Sequence, residues 1–451
     1  MKLKSLTLSN FRGFEQIDLE FHENLTVIAG INGSGKSGIL KALAGLASYL
    51  VPEITPAKRK VIPFDDGDIH HGKRAFTINA RFGGDAIETS AQIVRTKPDS
   101  KQAEKVQMEI EDLRTKRRNI KKGSLEDKEV EERLNFLGHL LDDSEDSFTF
   151  QTGNIDGADD QDESRELLIV FYPTNRNFRA LAPVLAGVKA ASPADAHAQA
   201  LDKAEISLSA FANWFRAVAE GKVGSKGLGK VLVKMLEETI STMLPGFSGL
   251  RFDEKPKPSF SIEKERSRFQ LDQLSDGERV LLALAFDLTR RLTIANPDDK
   301  NPVQQGRALV MIDEIELHLH PIWQRQVLRR LTSAFPSCQF VVTTHSAQLL
   351  GEVEAECIRF LELGDDTGRI DVYIPPEALG LDVNRILYEL MGTPERNESV
   401  INKLEELFRL IDEEDFDGAR KAIEPLINKL GNLDPELVRA QSLIRFLEGR
   451  E

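Results

Sequence analysis

The sequence predicts an α/β fold. A mixed β-sheet carries a glycine-rich loop and the helix after it, a short antiparallel helical hairpin interrupts the body, and the chain ends in a helical tail. Three observations carry this prediction. The apolar segment Leu25, Val27 and Ile28 runs into the glycine-rich stretch Gly30–Ser37 and then into a helix. Two further apolar strands, Ala308–Ile312 and Gln339–Thr344, end at polar residues: Asp313 and Glu314 after the first, His345 after the second. Between these lobes, apolar residues recur with the 4-3 spacing of a short coiled coil.

Taken in order, Leu3, Leu6 and Leu8, then Ile17, Leu19 and Phe21, then Leu25, Val27 and Ile28 mark three short strands. The helix that follows is amphipathic, with Ile39, Leu40, Leu43, Leu46 and Leu50 on one side. Phe76–Phe82 and Ile87–Thr96 read as two more strands. Beyond Pro98, Val106, Ile110, Leu113 and Ile120 form one helical seam, with Arg117 at one of its positions. After a turn at Gly123-Ser124, Val130, Leu134, Leu137 and Leu141 form the other. The acidic stretch Asp142–Glu166 reads as exposed loops, and Leu167–Tyr172 as a buried strand ending in Pro-Thr-Asn-Arg. Helices are expected over Ile206–Val218 and Lys230–Leu244, and through the last sixty residues with a turn near Asp415–Gly418. The expected division is an N-lobe over 1–97, the hairpin over 98–147, a C-lobe over 148–390 and a helical tail over 391–451.

The chain has 451 residues, 59 Lys and Arg against 73 Asp and Glu, and a net charge of −14, which excludes bulk-charge coating of nucleic acid or acidic membrane. The longest apolar runs, such as Leu281–Phe286, are too short to cross a bilayer. Cys338 and Cys357 are in no metal or redox spacing. The expectation is a cytoplasmic protein without a membrane segment.

Gly30-Ile-Asn-Gly-Ser-Gly-Lys-Ser37 matches G-x-x-x-x-G-K-[ST] in its strand-to-helix context. Gly30, Asn32, Gly33, Ser34 and Gly35 let backbone N–H groups encircle phosphate oxygens, while Lys36 can bridge the terminal phosphates of ATP and Ser37 can ligand Mg²⁺. Asp313 would hold Mg²⁺ through water, and Glu314 would orient or deprotonate the attacking water. His345, at the end of the next strand, can donate a hydrogen bond to the γ-phosphate or to that water. Ser275 and Glu278 form a capping box, S-x-x-E, at the start of a helix whose N-terminus suits phosphate.

Together these motifs resemble the ABC-type ATPase heads of the family containing RecF, the structural-maintenance-of-chromosomes proteins and the overcoming-lysogenization-defect nucleases. Leu274-Ser-Asp-Gly-Glu278 is similar to the ABC signature L-S-G-G-Q. The resemblance implies that Ser275 and Gly277 face the ATP of a second subunit in a head-to-tail dimer. Asn10-Phe-Arg-Gly-Phe14 is similar to the amino-terminal N-F-R motif, which implies Arg12 near the nucleotide. Glu316-Leu-His-Leu-His-Pro321 stands where the family has its D-loop. No glutamine is assigned to the family's Q-loop: Gln92 lies in a predicted strand, and Gln151 beside the acidic segment. Glu362 and Asp415-x-Asp417 do not make a Toprim nuclease domain; the latter reads as a polar turn.

A finer resemblance is to PtuA-like ATPases of Septu and retron anti-phage systems. It rests on Phe171-Tyr-Pro-Thr-Asn-Arg176, Asn213-Trp-Phe215, the hairpin, the run Glu314-Ile-Glu-Leu-His-Leu-His-Pro321, and Gly380-Leu-Asp-Val-Asn-Arg-Ile-Leu387. It implies an HNH nuclease partner and several ATPase copies. Arg114–Lys122, with six basic residues, offers a contact for double-stranded DNA or a solvated helix face balanced by the acids after it. Three functions stay open: a defence ATPase controlling a nuclease, a RecF-like repair ATPase, and a nucleotide-gated scaffold that holds a toxic partner silent.

Overall fold

The computed structural model describes residues 1–55, 57, 60–83, 87–96, 100–117, 130, 133–134, 146–154, 168–176, 178–179, 181–182, 191–202, 206–221, 228–364, 369–394 and 396–449. These described residues divide into two compact units, Met1–Gly380 and Leu381–Glu451. The helix Val383–Glu389, read in the sequence as part of the C-lobe, therefore belongs to the second unit.

The first unit is organised by two sheets. In spatial order, the larger runs Ile370–Tyr373, Ile358–Leu363, Leu25–Gly30, Gln339–Thr344, Ala308–Ile312 and Leu168–Tyr172. Every neighbouring pair is parallel except the first, which is antiparallel. Its central strands are buried almost throughout because both faces are covered, and they are largely apolar for that reason. The second sheet is antiparallel throughout: Phe14–Glu20, Lys2–Phe11, Ala75–Gly83, Ile87–Thr96 and Asp146–Asn154.

The helix Lys36–Ile54 packs against strands of both sheets. Fourteen of its nineteen residues are buried, so the one-sided amphipathic helix expected from the sequence is in fact covered nearly all round. The residues on the side away from the leucines include the small and buried Gly38, Gly45 and Ser48, which let that face be covered as well. Gly45 is required there, because a Cβ would lie 2.2 Å from the Phe64 ring. That ring joins an edge-on aromatic cluster with Phe11 and Phe76.

Two features differ from the sequence reading. Asp146–Asn154, expected as acidic loop, is a strand paired with Ile87–Thr96, and Phe148 and Phe150 pack on the core. Gln92 and Gln151 both lie within this antiparallel sheet. Phe247–Asp253, Ser259–Lys264 and Ser267–Gln270 form a meander that leads directly to the helix Asp276–Ala295. Of the hairpin, the helix Ser100–Arg117 is present, and Arg133 is held against it by Glu109 at 2.9 Å. The rest of the second helix and most of the basic Arg114–Lys122 segment lie outside the described residues.

In the second unit, Glu398–Asp412, Phe416–Leu430 and Pro435–Leu447 share one core built from residues such as Leu407, Leu426 and Leu437. Asp415 caps the middle helix by accepting the Gly418 N–H at 2.9 Å. Among the described residues, no helix of the chain is long and apolar enough to cross a membrane.

Candidate active site

Parallel sheets bind ligands at the carboxyl ends of their strands. Four such ends in the larger sheet carry the residues of interest: Gly30 at the first, Asp313 and Glu314 at the second, His345 at the third, and Pro173–Arg176 at the fourth. Gly30, Gly33 and Gly35 have φ values of +148°, +84° and +88°, a backbone that turns successive N–H groups inward. Side chains are also excluded at two of them. A Cβ on Gly35 would lie 2.4 Å from the Phe14 ring, and one on Gly30 would lie 2.5 Å from the Leu361 carbonyl. Asn32 is exposed on the loop, and Ser34 is buried beneath it. The Lys36 ammonium donates to the Gly30 and Ile31 carbonyls at 2.9 and 2.7 Å and to Ser34 Oγ at 3.3 Å.

Residues 276 positions apart meet at the next strand end: Ser37 Oγ donates to Asp313 Oδ1 at 2.9 Å. The same carboxylate oxygen accepts Thr343 Oγ1–H at 2.6 Å, and Thr343 Oγ1 in turn accepts the Glu314 N–H at 2.8 Å. A hydroxyl and a carboxylate are the donor set that Mg²⁺ takes from proteins when it also binds substrate phosphate. Glu314 has φ +47°, a left-handed conformation that costs a side-chain-bearing residue roughly 1–2 kcal/mol. The fully buried Arg176 lies behind it, donating from Nη1 to the Asp313 carbonyl and from Nη2 to the Glu314 carbonyl at 2.7 Å.

Charge is dense here. Burial pushes the Lys36 ammonium down to about 8, against the opposing pull of Glu316, Glu314 and Asp313. Burial likewise lowers Arg176 to about 10, opposed by the same three carboxylates, so the guanidinium stays charged at neutral pH. His345 is held below the usual imidazole range by burial and by Lys36. Its main-chain N–H donates to Glu316 Oε1 at 2.6 Å. Glu316 is thus the foremost carboxylate partner of both cations, and the sequence reading had it only as part of the D-loop.

The remaining expected residues are held by other contacts. Ser275 is exposed, and its cap is the capping box read from sequence: Ser275 N donates to Glu278 Oε2 at 2.9 Å, and Glu278 N to Ser275 Oγ at 3.4 Å. Lys264 from the meander fixes Glu278 at 2.6 Å. Gly277 packs so closely on the following loop that a Cβ would lie 2.6 Å from the His318 carbonyl. Arg12 passes the start of the phosphate-loop helix, its Cδ 3.7 Å from where a Gly38 Cβ would stand. Its guanidinium is engaged by Asp68 at 2.7 Å.

A glycine-rich loop, an acid-ended neighbouring strand and a capped signature-like helix define a P-loop ATPase head of the ABC type. The family described as "AAA domain, putative AbiEii toxin, Type IV TA system" matches residues 25–351, and the chain belongs to it. It is an ABC-type ATPase related to retron and Septu ATPases, and a short stretch of it is similar to RecF. The "Retron Ec83 probable ATPase" of Escherichia coli is 25% identical over 395 residues, 81% of this chain and 72% of that protein. The Septu protein PtuA of Bacillus thuringiensis is 29% identical over 178 residues, 37% of this chain and 44% of that protein. Among solved structures, the SMC head domain from Thermotoga maritima matches 83% of this chain and 99% of its own, with 15% identity and a TM-score of 0.41.

Proposed function

We propose that this protein is the ATP-hydrolysing subunit of a cytoplasmic anti-phage defence complex that controls a separate HNH-type nuclease acting on DNA. The observation that carries the catalytic part is the contact of Ser37 with Asp313, with Glu314 next in sequence. ATP would be bound by the phosphate-loop N–H groups and Lys36. Ser37 and Asp313 would hold Mg²⁺, whose charge offsets that of the phosphate oxygens. Glu314 orients a water toward the terminal phosphorus and takes its proton as the bridging P–O bond breaks and ADP leaves. His345, neutral at physiological pH, donates to the phosphate or to the water.

Ser275 and Asp276 are exposed at the start of an otherwise buried helix, which supports a second copy as the recipient of that end. Two copies would close head-to-tail, each offering Ser275 and Gly277 to the other's ATP. The retron and Septu relatives support the defence role; the HNH partner is carried over only from the resemblance to PtuA-like ATPases.

The test is turnover and assembly of Glu314→Gln. Its ATP hydrolysis is expected to fall about 10²–10³-fold while nucleotide binding persists, because one preorganised group has been removed. ATP should then hold it as a dimer in light scattering. Undiminished turnover would remove Glu314 from the mechanism, and a monomer under saturating ATP would remove the head-to-tail closure. Purification of the tagged protein from its host tests the partner: a stoichiometric nuclease is expected, and recombination proteins in its place would overturn the defence reading.

A further inference from the structure

We infer that Arg176 is a positioning residue for hydrolysis: its guanidinium holds the backbone of Glu314 in the left-handed conformation that aims the carboxylate. In an extended strand, successive carbonyls point to opposite sides, so one side chain cannot bond to two in a row. Here the carbonyls of Asp313 and Glu314 converge on the same guanidinium, one on each terminal nitrogen. They converge because the chain turns at Glu314, where φ is +47°. The two nitrogens of a rigid planar fork match that pair of acceptors, which an ammonium cannot do.

Other contacts fix the two peptides that flank Glu314. The Glu314 N–H is tied to Thr343 Oγ1 at 2.8 Å, and the Glu314 carbonyl also accepts the Leu317 N–H at 3.0 Å. Arg176 is itself only 1% exposed and is steadied by the Pro173 carbonyl at 3.3 Å, so it is out of reach of bulk solvent and acts through Glu314. Its charge also faces Glu316, Asp313 and Glu314 together, which lets three carboxylates stand close to one another at the strand end.

The inference rests on Glu314 acting as proposed above, so the test is a cycle of variants: wild type, Glu314→Gln, Arg176→Lys and the double variant. Steady-state ATP turnover and ADP affinity are measured for each, with thermal melting as the check of folding. Arg176→Lys keeps the charge and loses the fork. Its kcat is expected to fall at least about ten-fold, with KM and ADP affinity within about two-fold of wild type. In the Glu314→Gln background the same change is expected to have no further effect on kcat, because the group that Arg176 aims is gone. A full-sized additional loss in that background, an equal loss of ADP affinity, or an unchanged kcat would overturn the proposal. If Arg176→Lys does not fold, Arg176→Gln, whose amide can still serve one carbonyl, replaces it in the cycle. Failure of both to fold would overturn the proposal by making Arg176 a residue of stability alone. Undiminished turnover of the Glu314→Gln single variant would instead strike at the reading of Glu314 itself.

Discussion

Raising the pH is expected to weaken nucleotide binding at a point set by Lys36. In the free protein burial lowers this ammonium to about 8, and the carboxylates Glu316, Glu314 and Asp313 only partly restore it. A bound phosphate chain adds negative charge at the ammonium and raises its pKa. Affinity is thus complete below about 8 and declines as pH rises through that value. At about pH 7 roughly nine-tenths of free Lys36 is charged, and at about pH 9 roughly one-tenth. Affinity should therefore fall about ten-fold across that interval, or about 1.4 kcal/mol. A terminal phosphate loses its last proton with a pKa of about 6 and is already about nine-tenths ionised at about pH 7, and His345, held low, is neutral throughout.

The assay is titration calorimetry of ADP in the presence of a chelator, which keeps divalent metal out of the balance. Two buffers of different ionisation enthalpy then count protons, and about half a proton should be taken up per ADP at about pH 8. Lys36→Met should bind more weakly and take up none. An affinity that stays level between about pH 7 and about pH 9, with no proton uptake, would refute the assignment of a lowered Lys36 pKa.

The same calorimetry tests Glu316. Glu316→Gln removes the carboxylate that acts most strongly on Lys36, so the pH at which affinity declines should move below that of the wild type; an unmoved midpoint would show that Glu316 does not set it. Gly277→Ala forces a Cβ to 2.6 Å from the His318 carbonyl, and the loop must shift. ADP affinity should persist while ATP turnover falls about ten-fold or more, as expected when catalytic geometry is displaced by a fraction of an ångström. Asp287 is buried and accepts from Arg290, Arg291 and Tyr172. Burial alone would raise its carboxyl, but Arg291 and Arg290 outweigh this and hold it below the usual carboxylate range. Asp287→Asn should lose about 3–5 kcal/mol in urea unfolding at neutral pH, because two buried guanidinium groups lose their counter-charge. That contribution is present above the ordinary carboxylate pKa and disappears as pH falls through the lowered folded value.

How far the sequence revealed this arrangement depended on distance along the chain. The phosphate loop was legible because strand, glycines, lysine and helix are contiguous, and each needs only its neighbours to be recognised. The acid-ended strand and His345 were legible for the same reason, being a buried strand and the polar residue after it. Asp146–Asn154 was hidden: its alternating Phe148 and Phe150 are a strand signal, but the acidic and glycine-rich residues around them resemble loop. The meander was hidden because strands such as Ser267–Gln270 are too short and polar to show a period. The roles of Thr343, Glu316 and Arg176 were out of reach. Glu316 and Arg176 stand within motifs that carry the family resemblance, but the chemistry of all three consists of contacts made 29 to 138 residues away in sequence.

That division has a physical consequence for control of the ATPase. The groups proposed to hold phosphate lie within one local turn, which can form as soon as the strand and helix form. The groups proposed to govern cleavage depend on other strand ends being in register: Thr343 on one, Arg176 on another, Asp313 and Glu314 between them. A displacement of any of these strands by a fraction of an ångström would leave ADP affinity nearly intact while removing the aim of Glu314. Ser275 lies on a different support again, fixed through Glu278 and Lys264 to the meander, while Gly277 touches the loop that runs on from Glu314. A force on the meander would therefore reach the Glu314–His318 loop through Glu278 and Gly277 without passing the phosphate loop. Turnover would then change without loss of the nucleotide, and a variant that uncouples the two, such as Lys264→Met, should alter kcat while ADP affinity stays as it was. Parallel loss of both in that variant would mean that the meander supports the whole head and carries no separate route.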